Sequence, residues 1–244
     1  MTEAAFDTHD IGFEPEVTIS TAAYIGDEYI PIEIKTKLES HSEWALFIND
    51  VVEITSSSWD TYPTIFSDAI QNIKGGEKVL VVGGGDLSIP CAISEIFQDK
   101  YYTPLITVVD PLVDVIEHLF NKLKIGATKH SKRCTFTIPK LFSDFYTHET
   151  FFMYDEWEAD RFDWILVDVS DDTMNMTKEI YTKEFLIQAR TLMKPGGQLL
   201  MYVGNSTRDI PTPMREIGFK YVGETVRYIE AYQEEARCVR LQKI

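Results

Sequence analysis

The sequence predicts an α/β fold in which a mostly parallel sheet, finished by an antiparallel pair, follows a small antiparallel β-domain. Three observations predict it. Residues 78–82 are a continuous apolar run ending in Gly83-Gly84-Gly85, as expected of a strand covered on both faces and followed by a glycine turn. From about Glu16 to Ser56 apolar and polar residues alternate instead, the period of half-buried strands. At the other end, residues 221–229 and 236–242 are close enough in sequence to form a hairpin.

In chain order, the alternating stretches 17–21, 29–35, 44–48 and 51–55 read as short strands, with turns at Gly26-Asp27, Ser40-His41-Ser42 and Asn49-Asp50. A helix over 62–73 follows, with Pro63 tolerated in its first turn. After Lys74-Gly75-Gly76 the pattern becomes strand–helix–strand. The expected order is strand 78–82, helix 89–97, strand 105–109, helix 111–123, strands 134–138 and 164–167, helix 182–193 and strand 198–203. Pro195-Gly196-Gly197 stops the last helix. A parallel sheet with an antiparallel ending suits the Rossmann-like class I methyltransferase type better than the nicotinamide-binding fold, which repeats a second βαβ half. The division expected is a β-strand domain at 1–60 and a Rossmann-like nucleoside-binding domain at 61–244.

The composition narrows function. The 244 residues are 44% hydrophobic, ample for a buried core, yet none forms an apolar run long enough for a spanning helix. The N-terminus has no basic start or apolar stretch, and Cys91, Cys134 and Cys238 share no metal-ligand spacing. Buried, reduced cysteines in a cytoplasmic protein are the expectation, with no metal and no membrane. A net charge of −16 argues against nucleic acid as a partner. Residues 1–60 hold thirteen acids against two lysines, either a solvated surface or a field that gathers a cationic substrate.

Candidate chemistry starts at the glycine turn. Gly83-x-Gly85 after a strand and before a helix lets the backbone approach a ligand and offers free N–H groups. Asp110 comes 22 residues after Ser88, at a strand end, where an acid grips ribose hydroxyls; with Pro111 behind it, the same residue also reads as a helix cap. Asp168 and Asp171 sit past the fourth strand, where open α/β sheets bind ligands. They read as acceptors of a proton or a cation, or as solvated acids of an Asx-turn. Val81 stands where methyltransferases usually carry an acid, and Asp86 follows the glycines directly. A carboxylate there repels a methionine carboxylate and attracts an amine, which favours a sulfonium nucleoside with a cationic tail.

Taken together these residues resemble the spermidine synthase (polyamine aminopropyltransferase) family over nearly the whole chain. Residues 79–86 look like its VLVIGGGDGG element, and Asp110 with Val115-Ile116 like its acid and V-I pair. Residues 168–171 and 181–185 resemble DSSDP…LFTxEFY, and residues 47–55 with Tyr62 resemble LDGVxQxT…Y. The resemblance implies transfer of an aminopropyl group from decarboxylated S-adenosylmethionine, a co-substrate with no permanently bound cofactor beside it, to a small cationic amine. Asp168 would be the general base, Asp86 and Asp171 would orient cationic tails, and Tyr62 and Glu53 would contact the substrate. Gly83, Gly84, Gly85 and Asp110 would hold the nucleoside, and the assembly would be a homodimer or larger. The other readings are an S-adenosylmethionine-dependent methyltransferase-like enzyme and a non-catalytic homologue. Against the family pattern, Leu87-Ser88 replaces Gly-Gly, Val169 and Asp172 replace Ser and Pro, and Glu53 replaces glutamine. Pro63 stands where glutamine is frequent, Lys140 where a Gly-Asp pair is expected, and Arg237 where tryptophan is.

Overall fold

The computed structural model describes residues 15–25, 28–37, 43–59, 61–84, 86–97, 100–110, 112, 116, 118–119, 136–137, 161–169, 183–203, 216–229 and 234–244. The alternating N-terminal region forms a four-stranded antiparallel meander, β1 (Val17–Ile25), β2 (Glu28–Thr36), β3 (Trp44–Ile48) and β4 (Val51–Thr55). Its first strand runs four residues further than the alternation alone marks, and its second one residue further at each end. Ile30, Ile32, Ile34 and Thr36 of β2 are buried while Pro31, Glu33 and Lys35 between them are half-buried, the signature of one covered face. Asn49 and Asp50 both have positive φ (52° and 64°), as a two-residue turn between β3 and β4 requires and as these two residue types tolerate.

The segment after β4 departs from expectation. Residues 56–59 form a helical turn, α1 (Ser56–Trp59), held by hydroxyls: Thr55 N–H donates to Ser58 Oγ (3.0 Å), and Ser58 N–H donates to Thr55 Oγ1 (3.3 Å). The helix expected over 62–73 divides into a 3-10 turn, Tyr62–Phe66, and α2 (Ser67–Asn72). The tighter turn stacks residues three apart, so Pro63 and Phe66 are buried together on one side.

Seven strands make the second sheet, in the order β10-β11-β9-β8-β5-β6-β7. They are β5 (Lys78–Gly83), β6 (Leu105–Val109), β7 (Phe136–Thr137), β8 (Phe162–Asp168), β9 (Met193–Tyr202), β10 (Phe219–Ile229) and β11 (Glu234–Lys243). Strands β5 to β9 pair in parallel, and β11 joins β9 and β10 antiparallel. This is the predicted architecture of an α/β sheet of methyltransferase type behind an antiparallel N-terminal sheet. The helices α3 (Ser88–Ile96) and α4 (Lys183–Leu192) match the expected 89–97 and 182–193 within a residue. Strand β9 starts earlier than the expected 198: Met193 pairs with Phe162 and Gln198 with Trp164, so Lys194–Gly197 bulges from the ladder. Of the helix expected over 111–123 only Leu112, Ile116, His118 and Leu119 are described; the first, second and last are buried at helical spacing.

Strand β5 shows why its run is continuously apolar. Val79 and Val81 belong to a cluster that includes Ile32, Ile34 and Leu46 of the first sheet and Phe66 and Ile89 between the sheets. Leu80 and Val82 face the opposite cluster with Phe185, Leu186 and Ala189 of α4. One apolar core thus runs from the N-terminal meander to the large sheet. Among the described residues no helix is long and apolar enough to cross a membrane, and Cys91 and Cys238 are buried and outside any disulfide; Cys134 lies outside the described residues.

Leu87, which replaces a family glycine, has φ 64° and is 6% exposed within the first cluster. The left-handed conformation costs a leucine roughly 1–2 kcal/mol. Losing a buried leucine side chain costs about 2–5 kcal/mol, and glycine adds chain entropy. Burial wins, so Leu87→Gly is expected to lower the stability measured by urea unfolding by about 2 kcal/mol; a stabilised variant would show that strain dominates.

Candidate active site

The ends of β5, β6 and β8 lie side by side, because β8, β5 and β6 are neighbours in the sheet. Gly83 pairs with Asp168, and Gly84 N–H donates to the Asp168 carbonyl oxygen (3.2 Å). This approach requires glycine: a Cβ at Gly83 would strike the Asp168 carbonyl, and φ is +78°. At Gly84 (φ +69°) a Cβ would come within 3.7 Å of Asp168 Oδ2, so the absent side chain keeps that oxygen accessible from the turn. Gly85 lies outside the described residues.

Four carboxylates converge here from different elements. Asp168 (8% exposed) ends β8 and Asp86 (7% exposed) follows the glycine turn. Asp110 follows β6, and half-buried Glu53 reaches in from β4 of the other sheet. Burial raises Asp168 well above the usual carboxylate range, Asp86 raises it further, Tyr62 pulls it down, and Glu53 and Asp110 push it up. Tyr62 Oη donates to Asp168 Oδ1 at 2.7 Å, which leaves Oδ2 toward the glycine turn. Glu53 is pushed up to about 7 by burial and then by Asp86 and Asp110. Asp86 is pushed up to about 6 by burial, against the opposing hydrogen bonds from Ser88.

Among the described residues no lysine or arginine forms a salt bridge with Asp86 or Asp168. Buried carboxylates without a counter-charge hold protons tightly and attract any cation that enters. The arrangement can therefore bind an ammonium and remove its proton. Asp110 Oδ1 accepts the Leu112 N–H (2.8 Å), a local contact that commits one of its oxygen atoms. Among the described residues no group of His, Cys, Asp and Glu is arranged to hold a metal.

Of the residues singled out in the sequence, Glu53, Tyr62, Gly83, Gly84, Asp86, Asp110 and Asp168 come together; Asp171 lies outside the described residues, as does Lys140. Three further residues complete the site. The Trp59 indole N–H donates to the Asp86 carbonyl (3.0 Å), and Tyr202 sets its ring edge-on to Tyr62 at 6.4 Å between centroids. Ser88 binds the Asp86 carboxylate. Its position after the glycines was the available signal for Ser88, whereas Trp59 and Tyr202 are brought in by the tertiary fold alone. Arg237, at the family's tryptophan position, is tied to Glu224 on the neighbouring strand (2.7 Å). A separate groove of about 450 Å³, lined by Lys74, Phe97, Tyr101 and Tyr102 among others, lies at the opposite edge of the sheet and holds none of the four acids.

A spermine/spermidine synthase domain matches residues 64–208. No curated protein matches the chain in sequence. Among solved structures, a spermidine synthase in complex with the transition state analogue AdoDATO superposes with a TM-score of 0.64 at 14% identity, over 93% of this chain and 73% of that one. Spermidine synthase from Thermotoga maritima gives 0.63 at 14% identity, over 93% and 72%. A probable spermidine synthase from Corynebacterium glutamicum gives 0.55 at 13% identity, over 92% and 80%. At these identities the structures establish a shared fold.

An acid whose pKa is higher in the folded than in the unfolded chain binds protons more tightly in the native state, so stability is greatest at low pH and falls as pH rises. For Asp86, raised from 3.8 to about 6, the loss develops between those values and amounts to about 3 kcal/mol. Asp86→Asn is therefore expected to raise the thermal midpoint at pH 7.5 and to leave it nearly unchanged at pH 4. A midpoint that falls at both pH values would show that the carboxylate is stabilising as built.

Proposed function

This chain belongs to the spermine/spermidine synthase family, and from that premise we propose that it is an aminopropyltransferase moving the aminopropyl group of decarboxylated S-adenosylmethionine to a di- or polyamine. The observation that carries the reading is the pair of buried carboxylates, Asp86 and Asp168, set at the C-terminal edge of the sheet with no lysine or arginine bridged to either among the described residues. A donor with a cationic tail and a cationic acceptor supply the missing charge. A donor that kept its carboxylate would meet Asp86 with like charge.

An amine with a pKa of about 10 is almost fully protonated at pH 7 and has no free lone pair. Asp168 is the base that accepts its proton. The raised affinity of this carboxylate for protons makes the transfer less uphill, and Tyr62 holds Oδ1 so that Oδ2 meets the substrate. The freed nitrogen attacks the carbon beside sulfur. The new C–N bond forms as the C–S bond breaks, the bonding pair passes to sulfur, and neutral methylthioadenosine leaves. In-line positioning supplies much of the remaining acceleration. Asp86 orients the aminopropyl ammonium, Asp110 and the Gly83–Gly84 backbone hold the nucleoside, and Glu53 and Asp171 contribute to the amine side. The spermidine synthase that shares this fold was crystallised with a transition state analogue, consistent with an edge built for both substrates at once.

Asp168→Asn is expected to lower methylthioadenosine release, with putrescine as acceptor, by about 10²–10⁴-fold. Its thermal midpoint should not fall, because the variant removes a buried charge. Full turnover in this variant would remove Asp168 from the mechanism. Methyl transfer from S-adenosylmethionine by the wild-type chain, with no methylthioadenosine formed from the decarboxylated donor, would replace the proposed reaction.

A further inference from the structure

Helix α3 begins without a capping side chain of its own. Its N-cap is Leu87, in the left-handed conformation, and no side-chain hydrogen bond caps it. The task moves one residue upstream. Asp86 Oδ1 accepts the Ser88 N–H (2.9 Å), and the Ser88 hydroxyl lies 2.9 Å from Oδ1 and 3.0 Å from Oδ2. Ser88 is 1% exposed, so water does not compete for these contacts. The Asp86 carbonyl is fixed as well, by the Trp59 indole. The spermidine synthase pattern has glycine where Ser88 stands, and glycine supplies the amide but no hydroxyl.

We infer that Ser88 is a positioning residue: its hydroxyl fixes the Asp86 carboxylate in orientation and in its ionised form, so that recognition of the donor's cationic tail depends on it. The inference rests on the proposed role of Asp86 and extends it to a residue the family pattern does not supply. A helix cap alone would use the amide contact only. The hydroxyl instead spans both oxygens of the carboxylate. A donated O–H stabilises the anion more than the neutral acid, and here it opposes the burial that raises the proton affinity of Asp86. Glu53 and Asp168, whose proton affinity Asp86 raises, face it from β4 and β8, and Asp110 lies in the same cluster. The Ser88 contacts are the ones that lower it.

The test compares wild type with Ser88→Ala, Ser88→Gly and Ser88→Thr in two measurements. The first follows the Asp86 carboxyl by carbon NMR as pH is raised, using the protein without substrate and Asp86→Asn to assign the resonance. The second measures KM and kcat with decarboxylated S-adenosylmethionine. The expected result is an upward shift of the Asp86 titration in the alanine and glycine variants. KM at pH 7 should rise about tenfold, the worth of one lost hydrogen bond to a charged group, with kcat nearly constant. The threonine variant, which keeps the hydroxyl, should restore both readouts. An unmoved Asp86 titration overturns the inference whatever happens to KM, because a KM change alone marks a structural role. A shifted titration with unchanged KM also overturns it. If wild type forms no methylthioadenosine, the proposed reaction fails; a titration that still moves with Ser88 and returns with threonine then upholds the hydroxyl's hold on Asp86 separately.

Discussion

The pairing of β5 with β8 is the constraint on which the site depends. Its register sets Gly83 opposite Asp168, and the Gly84 amide donates to the Asp168 carbonyl. That contact brings two chain segments closer than any side chain allows. Because the glycine turn and the end of β8 are locked together, Asp86 and Asp168 leave the sheet at adjacent points. The sheet in turn is rigid because β5 is buried on both faces, by the meander side and by α4. Packing in the core therefore determines where two carboxylates sit at the edge.

The electrostatics follow from that geometry. Carboxylates from two sheets meet in a space where burial disfavours their charge, and each raises the proton affinity of the next. Such a group costs stability in the empty protein. Its compensation is a ligand that brings positive charge, for which the same desolvation strengthens attraction. Hydroxyls from Tyr62 and Ser88 moderate the effect at two of the acids without neutralising them. They hold the oxygens in place, whereas a lysine or arginine would fill the subsite.

Sequence reading reaches the parts governed by short-range rules. Alternation marks the meander, the apolar run marks β5, Asn49-Asp50 marks a turn, and the closing hairpin marks the antiparallel ending of the sheet. It misses the turn at Ser56–Trp59, whose hydroxyl bonds are local but whose sequence has no apolar period, and the division of the helix after Tyr62, which burial of Pro63 with Phe66 favours. In the site, the residues next to the glycines and at strand ends are legible because their positions follow from topology. Trp59 and Tyr202 are not, since each joins the site only through packing across distant segments. Leu87 and Ser88 read as losses of glycine, yet the structure gives each a partner: the core for Leu87 and Asp86 for Ser88.

The central claim is that this edge selects a nucleoside with a cationic tail and no carboxylate. Isothermal titration calorimetry with decarboxylated S-adenosylmethionine and with S-adenosylmethionine, at the same pH and ionic strength, tests it directly. The decarboxylated form should bind at least about tenfold more tightly, as expected for one like-charge contact avoided and one charge-assisted hydrogen bond gained. The preference should grow as pH rises through the Asp86 titration at about 6. Equal affinity, or tighter binding of the carboxylated form, would contradict it.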